Sequence, residues 1–156
     1  MNLLCIAIVA AALGSGLIAG LFFAFSAFVM AALAARPAAE GMAAMVSINR
    51  VILRSLFMPV FFGTAIAAAL LAGYALMRWS AASPWLIGAA LAYLVGAIGV
   101  TMAWNVPLNN RIERADPAAD NAGIWTHYLD RWTKWNHVRT VASLAAAGLF
   151  IGALVV

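Results

Sequence analysis

Charged residues are scarce in this chain. Aspartate, glutamate, lysine and arginine make up 9% of its 156 residues, against about 25% in an average soluble domain. Apolar residues make up 67%, whereas about 45–50% is usual. A soluble fold of this composition would need a core larger than so short a chain can enclose. The composition therefore excludes a soluble globular protein and predicts a single integral membrane domain over residues 1–156.

Cysteine and histidine are also scarce, with one Cys and two His residues. The single Cys5 excludes an intramolecular disulfide and argues against a thiol-ligated metal centre. With only His127 and His137, and with no acidic residue inside an apolar run, a bis-His haem and a carboxylate-bound di-metal site are both disfavoured. We therefore expect no metal or other cofactor, with a non-haem site of His137 and a loop acid such as Asp130 as the alternative.

What the chain does contain is long apolar runs. Four of them are long enough to cross a hydrocarbon core about 30 Å thick. They lie at about residues 3–35, 51–77, 85–104 and 136–156. Pro59 is expected to kink the second run, and Pro107 to end or bend the helix of the third. The predicted fold is all-α, a bundle of four transmembrane helices with a longer, partly helical loop between helices 3 and 4.

The basic residues are distributed unequally between the two sides of such a bundle. Four spans place both termini on one side and the first and third loops on the other. Those two loops and their helix ends hold eight of the nine Lys and Arg residues, namely Arg36, Arg50, Arg54, Arg111, Arg114, Arg131, Lys134 and Arg139. The positive-inside rule then predicts a cell inner membrane protein with cytoplasmic long loops and outward termini. Anionic lipid headgroups, and not nucleic acid, are the expected partners of these cations.

Small residues recur at four-residue spacing within the spans: Gly16 with Gly20, Ala92 with Gly96, and Gly148 with Gly152. This spacing lets helices approach closely. Packing within one chain is favoured over a homo-oligomer, which is kept as an alternative.

The predicted topology gathers polar residues at the cytoplasmic helix ends. Asn105 and Asn109 leave the third span, and Asn49 precedes the second. The stretch Trp135-Asn136-His137-Val138-Arg139-Thr140 opens the fourth span. A histidine titrates near neutral pH and can remove a proton from a carbon or phenol acid, so His137 is the candidate general base and is expected to point inward.

Phenylalanine clusters on the first two spans complete the predicted site. An aromatic-walled cleft capped by a few hydrogen-bonding groups suits a flat, lipophilic ligand. The candidate catalytic residues are His137, Arg139 and Asn105. The candidate substrate-binding residues are Asn49, Asn109, Asn136, Trp135, Phe25 and Phe61, with Trp135 interpreted alternatively as an interface anchor.

Several sequence blocks resemble one known family. They are Gly20-Leu-Phe-Phe-Ala-Phe-Ser-Ala-Phe-Val-Met30, Ala44-Met-Val-Ser-Ile-Asn-Arg50, Phe61-Phe-Gly-Thr64, Thr101-Met-Ala-Trp-Asn-Val-Pro-Leu-Asn109 and Trp132-Thr-Lys-Trp-Asn-His-Val-Arg-Thr140. The chain resembles the anthrone-oxygenase-like family of small four-helix membrane proteins over nearly its whole length. The resemblance implies oxidation of anthrones to anthraquinones by dioxygen, with no established cofactor.

The leading hypothesis is a membrane-embedded oxidoreductase or oxygenase acting on a lipophilic aromatic molecule, anthrone-, phenol- or quinone-like, at the cytoplasmic leaflet. His137 would form an enolate, and Arg139 and Asn105 would stabilise its oxygen. Two alternatives stay open: a non-catalytic lipid or quinone binder that uses the same cleft, and a structural partner subunit.

Overall fold

Five helices make up the part of the chain that the computed structural model describes, residues 2–116 and 119–156. They are α1 (Leu3–Ala34), α2 (Ala38–Ile52), α3 (Phe57–Met77), α4 (Ser83–Glu113) and α5 (Ala122–Gly152). No strand occurs within these residues, so the all-α prediction is confirmed.

Three helices, α1, α3 and α4, are long and apolar enough to cross a membrane. They support the prediction of a membrane protein. α5 is not among them, because its first half carries charged and polar residues up to Arg139. The fourth span, and with it the bundle of four transmembrane helices and the outward termini, stays a prediction.

Local side-chain contacts explain where the first helices begin and end. The side chain of Asn2 accepts a hydrogen bond from the backbone N–H of Cys5 at 2.9 Å and so caps α1. Pro37 separates α1 from α2, and an Arg36–Glu40 ion pair of 2.6 Å spans the break. The structure gives no reason for the predicted kink at Pro59, because α3 begins at Phe57 and not near residue 51. A proline in the first turn removes no helical hydrogen bond.

α4 continues through Pro107 to Glu113, beyond the end predicted near Trp104. Two π-helical stretches precede that proline, Ala92–Gly99 and Thr101–Asn105. The wider turn gives room where the proline ring would otherwise meet the carbonyl four residues before it. α5 begins at Ala122, so much of the predicted loop over residues 111–134 is helix.

Two hydrophobic cores hold the helices together. The larger joins α1, α3, α4 and α5 around residues such as Ile18, Phe61, Tyr93 and Phe150. The smaller joins α2 to the end of α1, the end of α4 and the start of α5 through Met30, Met42, Met45, Ile112, Trp125, Tyr128 and Trp132. The candidate site lies between these two cores.

Glycines permit close contacts at two of the predicted small-residue positions. A Cβ at Gly96 would collide with Ala142 of α5, and one at Gly152 would lie 2.5 Å from the Trp85 ring. A Cβ atom at Gly16, Gly20 or Gly148 would have no neighbour within 4 Å in the described part of the chain. The spacing therefore indicates helix contact between α4 and α5, while the Gly16–Gly20 face of α1 is open.

Candidate functional site

An apolar cavity of about 290 Å³, here called the inner cavity, lies between the two cores. Phe57 and Phe61 stack with ring centroids 5.1 Å apart, and Phe22 meets both edge-on at 6.2 Å. These rings give the inner cavity a largely aromatic wall. Its lining residues are Leu21, Phe22, Phe25, Met45, Ile48, Asn49, Arg50, Ile52, Leu53, Phe57, Met58, Phe61, Phe62, Thr101, Met102, Val106, Asn109, Asn110, Glu113, Trp132 and Arg139.

Arg139 is a buried cation in the wall of the inner cavity, with 5% of its surface exposed. Nη1 donates to Thr101 Oγ1 at 3.2 Å and Nη2 to Asn136 Oδ1 at 2.6 Å. The guanidinium carbon lies 4.2 Å from the centroid of the Phe22 ring and 5.0 Å from that of Trp132. Nε has no hydrogen-bond partner, and no salt bridge of Arg139 occurs within the described residues. Neutral oxygens and ring faces therefore surround the charge, and the Nε–H is left without an acceptor among the described residues.

Asn136 fixes the position of this guanidinium. Its Nδ2 donates to the Phe22 carbonyl and to Ser26 Oγ, both at 2.7 Å, while its Oδ1 accepts from Arg139. A π-helical turn over Phe25–Val29 follows directly in α1. Such turns occur where a side chain enters the backbone hydrogen-bond ladder, and they are frequent at functional sites. The side chain that orients Arg139 is thus hydrogen-bonded to α1 at this irregular turn and just before it.

Polar groups line the inner cavity near the ends of α2 and α4. Asn49 and Asn109 are both half-buried there, and Tyr128 Oη donates to Asn109 Oδ1 at 2.8 Å. Burial raises the pKa of Tyr128 well above its ordinary value, an effect partly offset by an interaction with Asn49, so the phenol stays a donor. Arg50 and Glu113 form an exposed ion pair of 2.9 Å at the mouth.

Asn105, Trp135, Asn136 and His137 are the predicted site residues that lie outside the lining of the inner cavity. Asn105 is 1% exposed and donates to the Trp132 carbonyl at 3.2 Å, so it supports the wall from behind. Its Oδ1 has no partner among the residues described. Trp135 stacks on the exposed Trp104 with centroids 4.1 Å apart, the arrangement expected of an interface anchor.

His137 is exposed and does not contact the inner cavity. It lines an open groove of about 390 Å³ between α1 and α5, here called the outer groove, with Ser26, Met30, Ala31, Ala34, Leu129, Asp130, Thr133 and Lys134. The expectation that His137 points inward is wrong. Asn136 and Arg139 define the buried face of α5, and His137 is turned about 100° from Asn136. Its role as general base stays a prediction.

Of the predicted site residues, Arg139, Asn49, Asn109, Phe25 and Phe61 meet at the inner cavity, and Asn136 contacts it through Arg139. Thr101, Tyr128 and Glu113 were not among the predicted site residues. A signal for Tyr128 was present, because Trp125, Tyr128, Trp132, Asn136 and Arg139 recur at steps of three or four residues, which places them on one helix face.

Within residues 2–116 and 119–156, no group of three or more His, Cys, Asp or Glu residues is arranged so that it could hold a metal ion.

Comparison with known proteins adds a family. The family model described as anthrone oxygenase matches residues 54–149, which include α3, α4 and most of α5. No curated protein and no solved structure matches the chain. The matched range contains Thr101, Asn109 and Arg139, whereas Phe22 and Asn49 lie before it.

Proposed function

Because the chain belongs to the anthrone oxygenase family, we propose that it is a membrane-embedded oxidoreductase of the oxygenase type. Its proposed substrate is a lipophilic aromatic small molecule, anthrone-, phenol- or quinone-like, held in the inner cavity. The observation that carries this proposal is an aromatic-walled cavity of about 290 Å³ in which a buried arginine has no acidic partner among the described residues.

The size of the inner cavity suits a molecule of a few fused rings. Its volume is near the lower end of the range of about 300–1,000 Å³ typical of small-molecule sites. Thr101 on α4 is hydrogen-bonded to Arg139, and Glu113 on the same helix lies at the mouth of the inner cavity. The distance between these two residues along α4 therefore measures the depth of the inner cavity. Twelve helical residues correspond to roughly 18 Å at about 1.5 Å per residue. A flat molecule can therefore lie along the rings with one polar end at Arg139.

Dioxygen is the proposed co-substrate. Conversion of an anthrone methylene to a carbonyl consumes one dioxygen, adds one oxygen atom to the ring carbon and releases the other as water with the two hydrogens. In this scheme Arg139 contacts the substrate oxygen, and Asn49 and Asn109 orient the other end of the molecule. We propose no metal or haem, and elemental analysis of the purified protein tests that part.

The cell inner membrane is the proposed location, with the mouth of the inner cavity at the cytoplasmic leaflet. The support is the charge distribution, since Arg50 and Glu113 at the mouth lie on the side that carries eight of the nine basic residues. Anionic headgroups are the proposed lipid partners of that side.

A non-catalytic binder of lipophilic rings is the second candidate. It is favoured by one observation: among the described residues that line the inner cavity, the only carboxylate is Glu113, which is paired with Arg50 at the mouth. A binder would retain a ligand through purification and would consume no dioxygen.

The deciding experiment supplies 1,8-dihydroxyanthrone to the full-length protein in lipid nanodiscs and records dioxygen uptake and anthraquinone formation. We expect the two to rise one to one above the rate of empty nanodiscs. Ile48→Trp places an indole in the inner cavity and should lower turnover more than tenfold. The matched control is Val46→Trp, two residues away on α2, because Val46 lines a different surface pocket and should leave turnover within twofold. Equal rates for both variants would place the reaction elsewhere.

A further inference from the structure

The inner cavity presents a cation that its surroundings leave only partly satisfied. A charge removed from water is costly unless an opposite charge or a full set of hydrogen bonds replaces the water. Arg139 has two hydrogen-bonded nitrogens and two ring faces, yet Nε has no acceptor. Cation–π contacts supply partial negative charge and no net charge. The guanidinium charge is therefore not balanced by an opposite charge among the described residues.

No other titratable group of the described chain supplies that negative charge. Among the residues that line the inner cavity, the charged ones besides Arg139 are Arg50 and Glu113, which pair with each other at 2.9 Å at the mouth. Tyr128, the nearest phenol behind the wall, is bonded to Asn109 and stays protonated because burial raises its pKa. The missing partner has to enter with the ligand.

We infer that the inner cavity binds its aromatic ligand as an oxyanion, a phenolate or enolate whose negative oxygen lies against the Arg139 guanidinium in the cavity wall. This inference rests on the proposed function and deepens it, because it names the ionisation state of the bound molecule. The guanidinium provides a charge-assisted hydrogen bond, which is stronger than one between neutral groups. The mostly apolar walls lower the local dielectric constant, which strengthens the electrostatic attraction.

The same arrangement explains how the site can work with His137 in the outer groove. A substrate that binds as its anion needs no base beside its oxygen, because its proton is released to water at the mouth. The bound ring is then already electron-rich when dioxygen arrives.

An alkyl carboxylate is another lipophilic oxyanion that Arg139 could hold. The stacked Phe57 and Phe61 rings and the Phe22 edge favour a flat ring over a flexible chain. The inference is therefore for an aromatic oxyanion.

The test uses 2-butyl-4-nitrophenol, whose phenolate has its own visible absorption band, and the full-length protein in nanodiscs. The apparent pKa of the bound probe should fall by at least one unit relative to the probe in empty nanodiscs, a tenfold preference for the anion. Arg139→Gln should abolish that shift. The matched control is Arg54→Gln, because Arg54 is exposed and does not line the inner cavity.

A ligand-side comparison removes any dependence on how the variant folds. The methyl ether of the probe cannot ionise, so at high pH it should bind wild-type protein at least tenfold more weakly than the probe itself. Equal binding of the two, an unshifted probe, or a shift that survives in Arg139→Gln would overturn the inference. Stronger displacement of the probe by decanoate than by 2-naphthol would overturn its aromatic part.

The inference and the proposed function fail separately. An oxyanion preference without dioxygen uptake would leave the inference standing and remove the oxygenase function. Turnover without an oxyanion preference would do the reverse.

Discussion

His137 and Asn136 are neighbours in the chain, yet one lies in the outer groove and the other is fully buried beside Arg139. Since the proposed reaction takes place in the inner cavity, His137→Ala should leave anthrone turnover within twofold of wild type. His127→Ala, which changes another exposed histidine ten residues earlier on α5, is the matched control. A hundredfold loss confined to His137→Ala would restore His137 as the base and move the site to the outer groove.

Tyr128 links the smaller core to the inner cavity through its hydrogen bond to Asn109. Tyr128→Phe leaves the Asn109 oxygen without this donor, which should cost about 1–3 kcal/mol of unfolding free energy. For a chain of this size each kcal/mol corresponds to roughly 2–4 °C in Tm. Differential scanning fluorimetry at pH 8 would show the decrease, and an unchanged Tm would mean that the bond contributes nothing.

The pH dependence of the same residue has a definite sign. Burial raises the folded-state pKa of Tyr128 above its ordinary value of 10.0, so the folded protein holds the proton more tightly than the unfolded chain. This contribution to stability is complete below pH 10 and is lost as the pH rises beyond it. Wild type should therefore lose more Tm than Tyr128→Phe between pH 9 and pH 11. Parallel losses would contradict the assignment.

Residue patterns predicted part of the candidate site. Asparagines and an arginine within apolar sequence pointed to Arg139, Asn49 and Asn109, and these line the inner cavity. The residue pattern could not predict the direction of the His137 side chain, because a shift of one residue along a helix turns the side chain by about 100°. The buried stripe from Trp125 to Arg139 fixes that phase, and only its contacts with Phe22 and Ser26 of α1 show which side is inside.

At the level of helices, the close contact between α4 and α5 depends on Gly96, where a Cβ would collide with Ala142. Gly96→Leu should separate the two helices and destabilise the protein by more than about 2 kcal/mol, the upper part of the range for overpacking. Gly16→Leu is the matched control on the open face of α1, where it should keep or raise Tm, since leucine is the better helix former. Equal Tm losses for both variants would mean that Gly16 is also packed, against a second copy or another protein in the membrane.

The apolar runs predicted that the helices exist. They did not predict where the helices end. Pro107 suggested an end to the third helix, but the π-helical turn over Thr101–Asn105 lets α4 continue to Glu113. That extension matters for the site, because it carries Asn109 and Glu113 to the mouth of the inner cavity. Hydropathy reports the length of an apolar run and contains no information about how a turn widens to admit a proline.

For the whole molecule, the topology depends on whether α5 crosses the membrane. About 20 residues are needed, so the span would have to include Asn136 and Arg139 as well as the uncharged residues after them. A charge within a span is tolerated when it faces the protein interior. Arg139 is 5% exposed, and Asn136 is fully buried, so neither group faces lipid. The burial of these two residues therefore makes a fourth span physically acceptable.

Cysteine labelling distinguishes the arrangements. On a Cys5→Ala background, single cysteines are placed at Ser80 between α3 and α4, at Ala119 between α4 and α5, and at Val156 after α5. Because the basic residues concentrate beside α2 and before α5, an impermeant maleimide should label positions 80 and 156 in intact cells, and position 119 only after permeabilisation. Labelling of 119 alone in intact cells would reverse the orientation. If 156 reacts only together with 119, α5 does not cross, and the polar groups at Arg139 would then lie closer to the aqueous phase than the proposed oxyanion site requires.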